Sequence, residues 1–134
     1  MTTATPQQVR RYPTEAQEQE AVFAWAASRE RREPRLRLLH ASMNGILTDP
    51  RFGAKLKRQG RKAGVPDILL PVPRIDRSIE HYGLWIELKR EKGGLVSSEQ
   101  IWWHQQLTEM GYRVVVARGA KAAIEEIERY LSDT

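Results

Sequence analysis

The spacing of apolar positions changes several times along the chain, and each change marks an element. Ala21, Val22, Trp25 and Ala26 recur at helical spacing. Thr14 before them suits an N-cap, with Glu15 and Glu18 in the first turn, so residues 15–29 predict an amphipathic helix. A charged loop over 29–35 closes at Pro34. Leu36, Leu38, Leu39 and Ala41 suit a short strand ended by the turn signal Asn44-Gly45. Residues 54–59 predict a short basic helix stopped by Gly60. Residues 67–72 read as a buried strand, 73–82 as a loop, and 83–89 as a second strand. Ser97 or Ser98 caps a helix running to about Met110, and Gly111 stops it. Residues 112–117 carry four successive apolar positions, Val114 to Ala117, the mark of a strand covered on both faces. Gly119 opens a last helix with Ala122, Ala123, Ile124, Ile127 and Leu131 as its inner stripe. The order α, β, short α, β, β, α, β, α predicts an α/β layer fold, a small mixed sheet flanked by helices.

Length and composition narrow the classes. The 134 residues, 40% apolar and 29% charged, suit one domain over 14–134 behind a flexible polar tail at 1–13. With no cysteine there are no disulfides, thiolate metal sites or cysteine nucleophiles. No apolar run is long enough for a membrane helix, and the N-terminal segment lacks a signal-peptide core, so a cytoplasmic protein is the expectation. The net charge of +5 is unevenly placed. Residues 36–66 hold seven Lys and Arg against one Asp, which accounts for the whole excess. Such a block suits a phosphate-bearing partner, though a solvated face would read the same.

The chemistry concentrates between Gly64 and Lys89. If strands 67–72 and 83–89 form an antiparallel hairpin centred near residue 77, Asp67 lies opposite Glu87. Cross-strand neighbours sit about 5 Å apart at Cβ, close enough to share a cation. Strand alternation puts Glu87 and Lys89 on one face, and Leu84, Ile86 and Leu88 on the other, towards the core. Two carboxylates and a lysine are what metal-assisted phosphodiester hydrolysis requires. A salt-bridged surface cluster is the plainer alternative.

The ordered set Gly64-Val65-Pro66-Asp67, Glu87-Leu88-Lys89 and Ser97-Ser98-Glu99-Gln100 resembles the VRR-NUC branch (virus-type replication-repair nucleases) of the PD-(D/E)XK nucleases. The resemblance runs from about Thr14 to Leu131 and includes the acids of the first helix. It implies a restriction-endonuclease-like core and a Mg²⁺- or Mn²⁺-dependent DNA endonuclease. Asp67, Glu87 and the backbone carbonyl of Leu88 would hold the metal, Lys89 would be the catalytic lysine, and Gln100 would lean over the site. A first-helix acid would complete the metal environment: Glu18 is favoured because it faces inward with Ala21 and Val22, with Glu15 in reserve. Compensation of the helix dipole explains both acids equally simply. Around Asn44 the sequence departs from the family, reading Asn44-Gly45-Ile46-Leu47-Thr48-Asp49-Pro50-Arg51 where a second glycine and basic residues are usual. Asn44 therefore reads as a turn residue tolerating the left-handed region.

The basic residues Arg51, Lys55, Lys57, Arg58, Arg61 and Lys62 precede the Asp67 strand and would hold a DNA backbone without reading sequence. Stand-alone members of this length resemble phage or bacterial enzymes related to Holliday-junction resolvases, which implies a homodimer acting on branched DNA. A general flap or single-strand nuclease and a non-catalytic nucleic-acid-binding module are the alternatives. Of Trp102 and Trp103, one is expected in the core, leaving the other for a subunit contact or a DNA base. His40, His81 and His104 show no ligand spacing and read as structural or exposed.

Overall fold

The computed structural model describes residues 12–45 and 49–132. The segments 1–11, 46–48 and 133–134 lie outside them, which includes most of the expected tail and part of the segment after Asn44. Four strands form the main sheet in the order β1 (His40–Ala41), β2 (Ile68–Leu70), β5 (Leu84–Lys89), β6 (Arg113–Arg118). The first two junctions are antiparallel and β5–β6 is parallel. The helices are α1 (Glu15–Arg29), α2 (Gly53–Arg58), α3 (Ser98–Glu109) and α4 (Ala120–Leu131). This is the mixed sheet flanked by helices that the residue pattern predicts. No helix among the described residues is long and apolar enough to cross a membrane.

Two layers cover the sheet. Val22 and Ala26 of α1 and Ala123, Ile127 and Leu131 of α4 bury against Ile68, Leu70, Leu84, Ile86 and Leu88. The opposite face of β5, carrying Glu87, lies under α3. Alternation along one strand thus separates an oily face from a polar face that is also covered. Burial of the apolar side at about 25 cal/mol per Å² is the main drive for this layering.

Three elements differ from expectation, each for a local reason. Residues 34–38 form a 3₁₀ helix (Pro34–Leu38) rather than strand, because Pro34 sits at its start and the Glu33 carboxylate accepts the Arg35 N–H. Residues 73–82 are not an open loop: β3 (Arg74–Asp76) pairs with β4 (Ile79–His81), turning at Arg77 and Ser78 with positive φ. β6 lies at the sheet's edge, and the face its Val116 shares with Glu87 is covered over Glu87 but not over Val116, which stays 43% exposed. Asn44 lies in a 3₁₀ turn (Met43–Gly45) without positive φ. Its side chain clamps the loop before Asp67, donating to the Lys62 and Val65 carbonyls and accepting from Arg61.

The ends of α4 are satisfied from a distance. Its N-cap, Gly119, has no side chain to offer. Glu18, 102 positions earlier in α1, supplies the missing acceptor: its carboxylate takes the Ala120 N–H at 2.9 Å. At the other end the Arg74 guanidinium donates to the carbonyls of Arg129, Tyr130 and Ser132, and Arg35 to that of Leu131. An anion at the N-terminus and cations at the C-terminus match the helix dipole. Glu18→Ala should therefore cost about 0.5–2 kcal/mol, the usual range for a lost cap, in urea denaturation. Glu18→Gln, which keeps an acceptor, should lose less; equal stability of Glu18→Ala and wild type would refute the capping role.

Candidate active site

The antiparallel pairing of β2 with β5 sets the site. Ile68 faces Ile86 and Leu70 faces Leu84, a register centred on residue 77, and one step further along it Asp67 comes opposite Glu87. The Asp67 carboxylate accepts the Leu88 N–H at 2.7 Å, which ties it to β5 beyond the last paired residue of β2. Glu87 is 1% exposed and Lys89 7%, so the acid and the amine lie beneath α3 rather than on open surface. β5 is an interior strand, which disfavours the surface-cluster reading.

Two carboxylates in so little water cannot both ionise freely. Burial, together with the hydrogen bond and charge of Asp67, pushes Glu87 up to about 9. Burial also raises Asp67, although Glu87, the Leu88 N–H and the Lys89 charge pull it down. Without a cation the pair therefore holds a proton at neutral pH.

The structure separates the two first-helix acids. Glu18 is buried but directed to the start of α4, as described above. Glu15 is the α1 acid whose negative charge reaches Asp67 and Glu87 and raises both. Helical facing distinguishes inward from outward positions but does not say what an inward acid meets.

His104 is the residue that ligand spacing passes over. Its Nε2 lies 3.2 Å from Glu87 Oε1, with the ring largely buried. Burial and the nearby Lys89 charge hold its pKa below the ordinary histidine value, so it meets Glu87 as a neutral ring. The available signal is its position four residues after Gln100, which places both on one face of α3. Gln100 belongs to the capping box that starts α3: its Oε1 accepts the Ser97 N–H at 2.8 Å, and its amide NH₂ is unused among the described residues.

The donor set suits a hard divalent cation. Mg²⁺ commonly takes one or two carboxylates and keeps several waters, and a cation would relieve the repulsion between Asp67 and Glu87. Among the described residues no cluster of three or more His, Cys, Asp and Glu side chains is assembled, so a bound ion would rely on this pair, backbone oxygen and water.

The basic block lies just before β2. Lys55, Lys57 and Arg58 are exposed on α2, and Lys62 is exposed beyond it. Arg51 is bound to Asp49 at 2.6 Å and Arg61 to Asn44, so these two are partly engaged within the fold.

These features define an α/β domain with a nuclease-type core. The VRR-NUC domain model matches residues 5–121, and the chain belongs to that family. A solved structure titled a VRR_NUC domain protein is similar at 28% identity and a TM-score of 0.73, covering 91% of each chain. No curated protein matches.

The sign of the pH effect follows from Glu87. A carboxyl with a higher pKa in the folded than the unfolded state favours the fold while protonated, and loses that contribution as pH rises through the folded value. In EDTA the melting temperature should fall as pH climbs from about 5 towards about 9. Glu87→Gln should flatten that slope; a wild-type profile with no fall over this range would contradict the buried proton.

Proposed function

We propose that the protein is a Mg²⁺- or Mn²⁺-dependent endonuclease that hydrolyses DNA phosphodiesters, favouring branched DNA and acting as a homodimer. The observation that carries the reading is the pair of half-buried Asp67 and buried Glu87 beside Lys89, held by the Leu88 N–H and His104. Membership of a nuclease family supports it independently. Burying two like charges is costly, and a divalent cation is the partner that offsets it.

Asp67, Glu87 and the Leu88 carbonyl would hold the ion, and Glu15 rather than Glu18 is the α1 acid whose charge reaches the pair. When bound, the ion supplies Lewis acidity and a water of lowered pKa. Lys89 then has two tasks: orienting the attacking water, and offsetting the negative charge that gathers on the phosphate oxygens in the transition state. Gln100 can offer its free amide N–H to a phosphate oxygen. The exposed cations of α2 hold the DNA backbone without base contacts, which suits recognition by DNA shape. A two-fold pair of such sites would let both strands of a symmetric junction be cut.

The reading is tested with labelled four-way junction, flap and linear duplex, each with Mg²⁺, Mn²⁺ or EDTA. Metal-dependent cutting is expected, strongest on the junction, and reduced at least 100-fold by Asp67→Asn or Lys89→Ala, in the range reported when a preorganised electrostatic group is removed. Binding without cutting under every metal would favour the non-catalytic module.

His104 acts through Glu87 as a positioning residue. Carboxylate ligands rely on such outer hydrogen bonds, whose loss typically costs roughly 10–100-fold in metal affinity or activity. His104→Phe, which fills the space but donates nothing, should weaken Mn²⁺ binding by about 10-fold in calorimetry without unfolding the protein. His104→Gln, whose amide reaches about as far as Nε2, should recover most of it. Wild-type Mn²⁺ affinity in His104→Phe would refute the role.

A further inference from the structure

A surface feature left unused is a cleft of about 270 Å³ between α3 and the chain leaving α2, lined by Ala63, Ser98, Glu99, Trp102 and Trp103. Trp102 is 54% exposed, a large apolar surface at its mouth. Its ring is steadied by Trp103, edge-on at 5.4 Å and 89°. Trp103 in turn is half-buried against Gly64, and the backbone there is pressed onto α3: a Cβ on Gly64 would lie 2.7 Å from the Glu99 carbonyl carbon and 2.8 Å from Trp103. Gly64 also holds φ +95°, open to glycine alone at little strain. The platform is therefore built by packing and is not a loose side chain.

We propose that this cleft is a stacking site for an unpaired DNA base, with Trp102 as its platform. The proposal rests on the nuclease reading for the identity of the ligand, and it adds the part of the substrate that is recognised. Charge argues for nucleic acid over a protein partner. Ala63 of the cleft wall directly follows Arg61 and Lys62 in the chain, with the exposed Lys55, Lys57 and Arg58 of α2 shortly before them, and Glu99 is the one acid in the lining. A strand whose phosphates follow those cations is brought past the indole face. Trp102 stands two residues before His104 on α3, so the two side chains leave the helix on different faces, His104 towards Glu87 and Trp102 towards solvent. Continuous duplex keeps its bases stacked inside and offers nothing to this platform. Flaps and gaps do offer an unpaired base, and aromatic stacking accepts any base.

The test measures DNA binding in EDTA at fixed salt, using a single-stranded oligonucleotide, a gapped duplex and a blunt duplex. Trp102→Ala should weaken binding to the first two at least about 5-fold, the low end for one stacked base, and leave blunt duplex unchanged. Trp102→Phe should retain most of the affinity. Neutralising Lys55, Lys57 and Arg58 together should instead weaken all three DNAs and flatten the dependence on salt, as phosphate contacts do. Equal losses on all DNAs, or none, would overturn the stacking site. So would conversion of a wild-type dimer to monomer by Trp102→Ala in light scattering, which would make the indole a subunit contact. Binding in EDTA is independent of cutting. A wild type that needs Trp102 for unpaired DNA but never cuts would keep the site and remove the nuclease; one that cuts, with Trp102→Ala binding every DNA normally, would do the reverse.

Discussion

The antiparallel register of β2 on β5 is the constraint on which the site depends. Side chains alternate across a strand, so a slip of one residue would turn Asp67 away and exchange the oily and polar faces of the pairing. Two features hold it. Ile68, Leu70, Leu84 and Ile86 are wholly buried on one side, and the Asp67 carboxylate extends the ladder by taking the Leu88 N–H. The hairpin β3–β4 lies between the paired strands and shapes the connection that joins them. The same pairing that assembles the core therefore also assembles the acids.

The polar face shows how the fold tolerates what it buries. Glu87 has a neighbouring acid to share a proton, a neutral imidazole at one oxygen and a cationic amine on the same strand. Each neighbour constrains its position, and none removes the demand for positive charge. α3 closes over this arrangement and also carries the exposed indole of Trp102. Coverage of the acids and presentation of the aromatic platform thus come from one helix, started by the reciprocal bonds of Ser97 and Gln100.

Much of the architecture was legible because its signals are short-range. Thr14 and Ser97 make the capping boxes that start α1 and α3, and the period of two in β5 separates Ile86 from Glu87 as expected. The pairing of Asp67 with Glu87 could be read because a hairpin's centre follows from its two strands. What escaped depends on partners far away in sequence. Glu18 faces inward as its spacing suggests, but what it meets is Ala120. His104 has no metal-ligand spacing because it reaches from α3 to an acid on β5. The 73–82 hairpin lacks the usual glycine at its turn, where Arg77 and Ser78 adopt positive φ instead. The apolar run in β6 reads as fully covered although its strand lies at the sheet edge.

The remote capping of α4 has a consequence for how the fold opens. A helix that borrows its first acceptor from α1, and its last donors from Arg35 and Arg74, gains those contacts only after the rest of the chain has collapsed. Loosening of α4 from either end therefore has to break contacts made by residues of α1, of the 3₁₀ segment or of β3, so the opening of this helix is shared with parts of the chain far away in sequence.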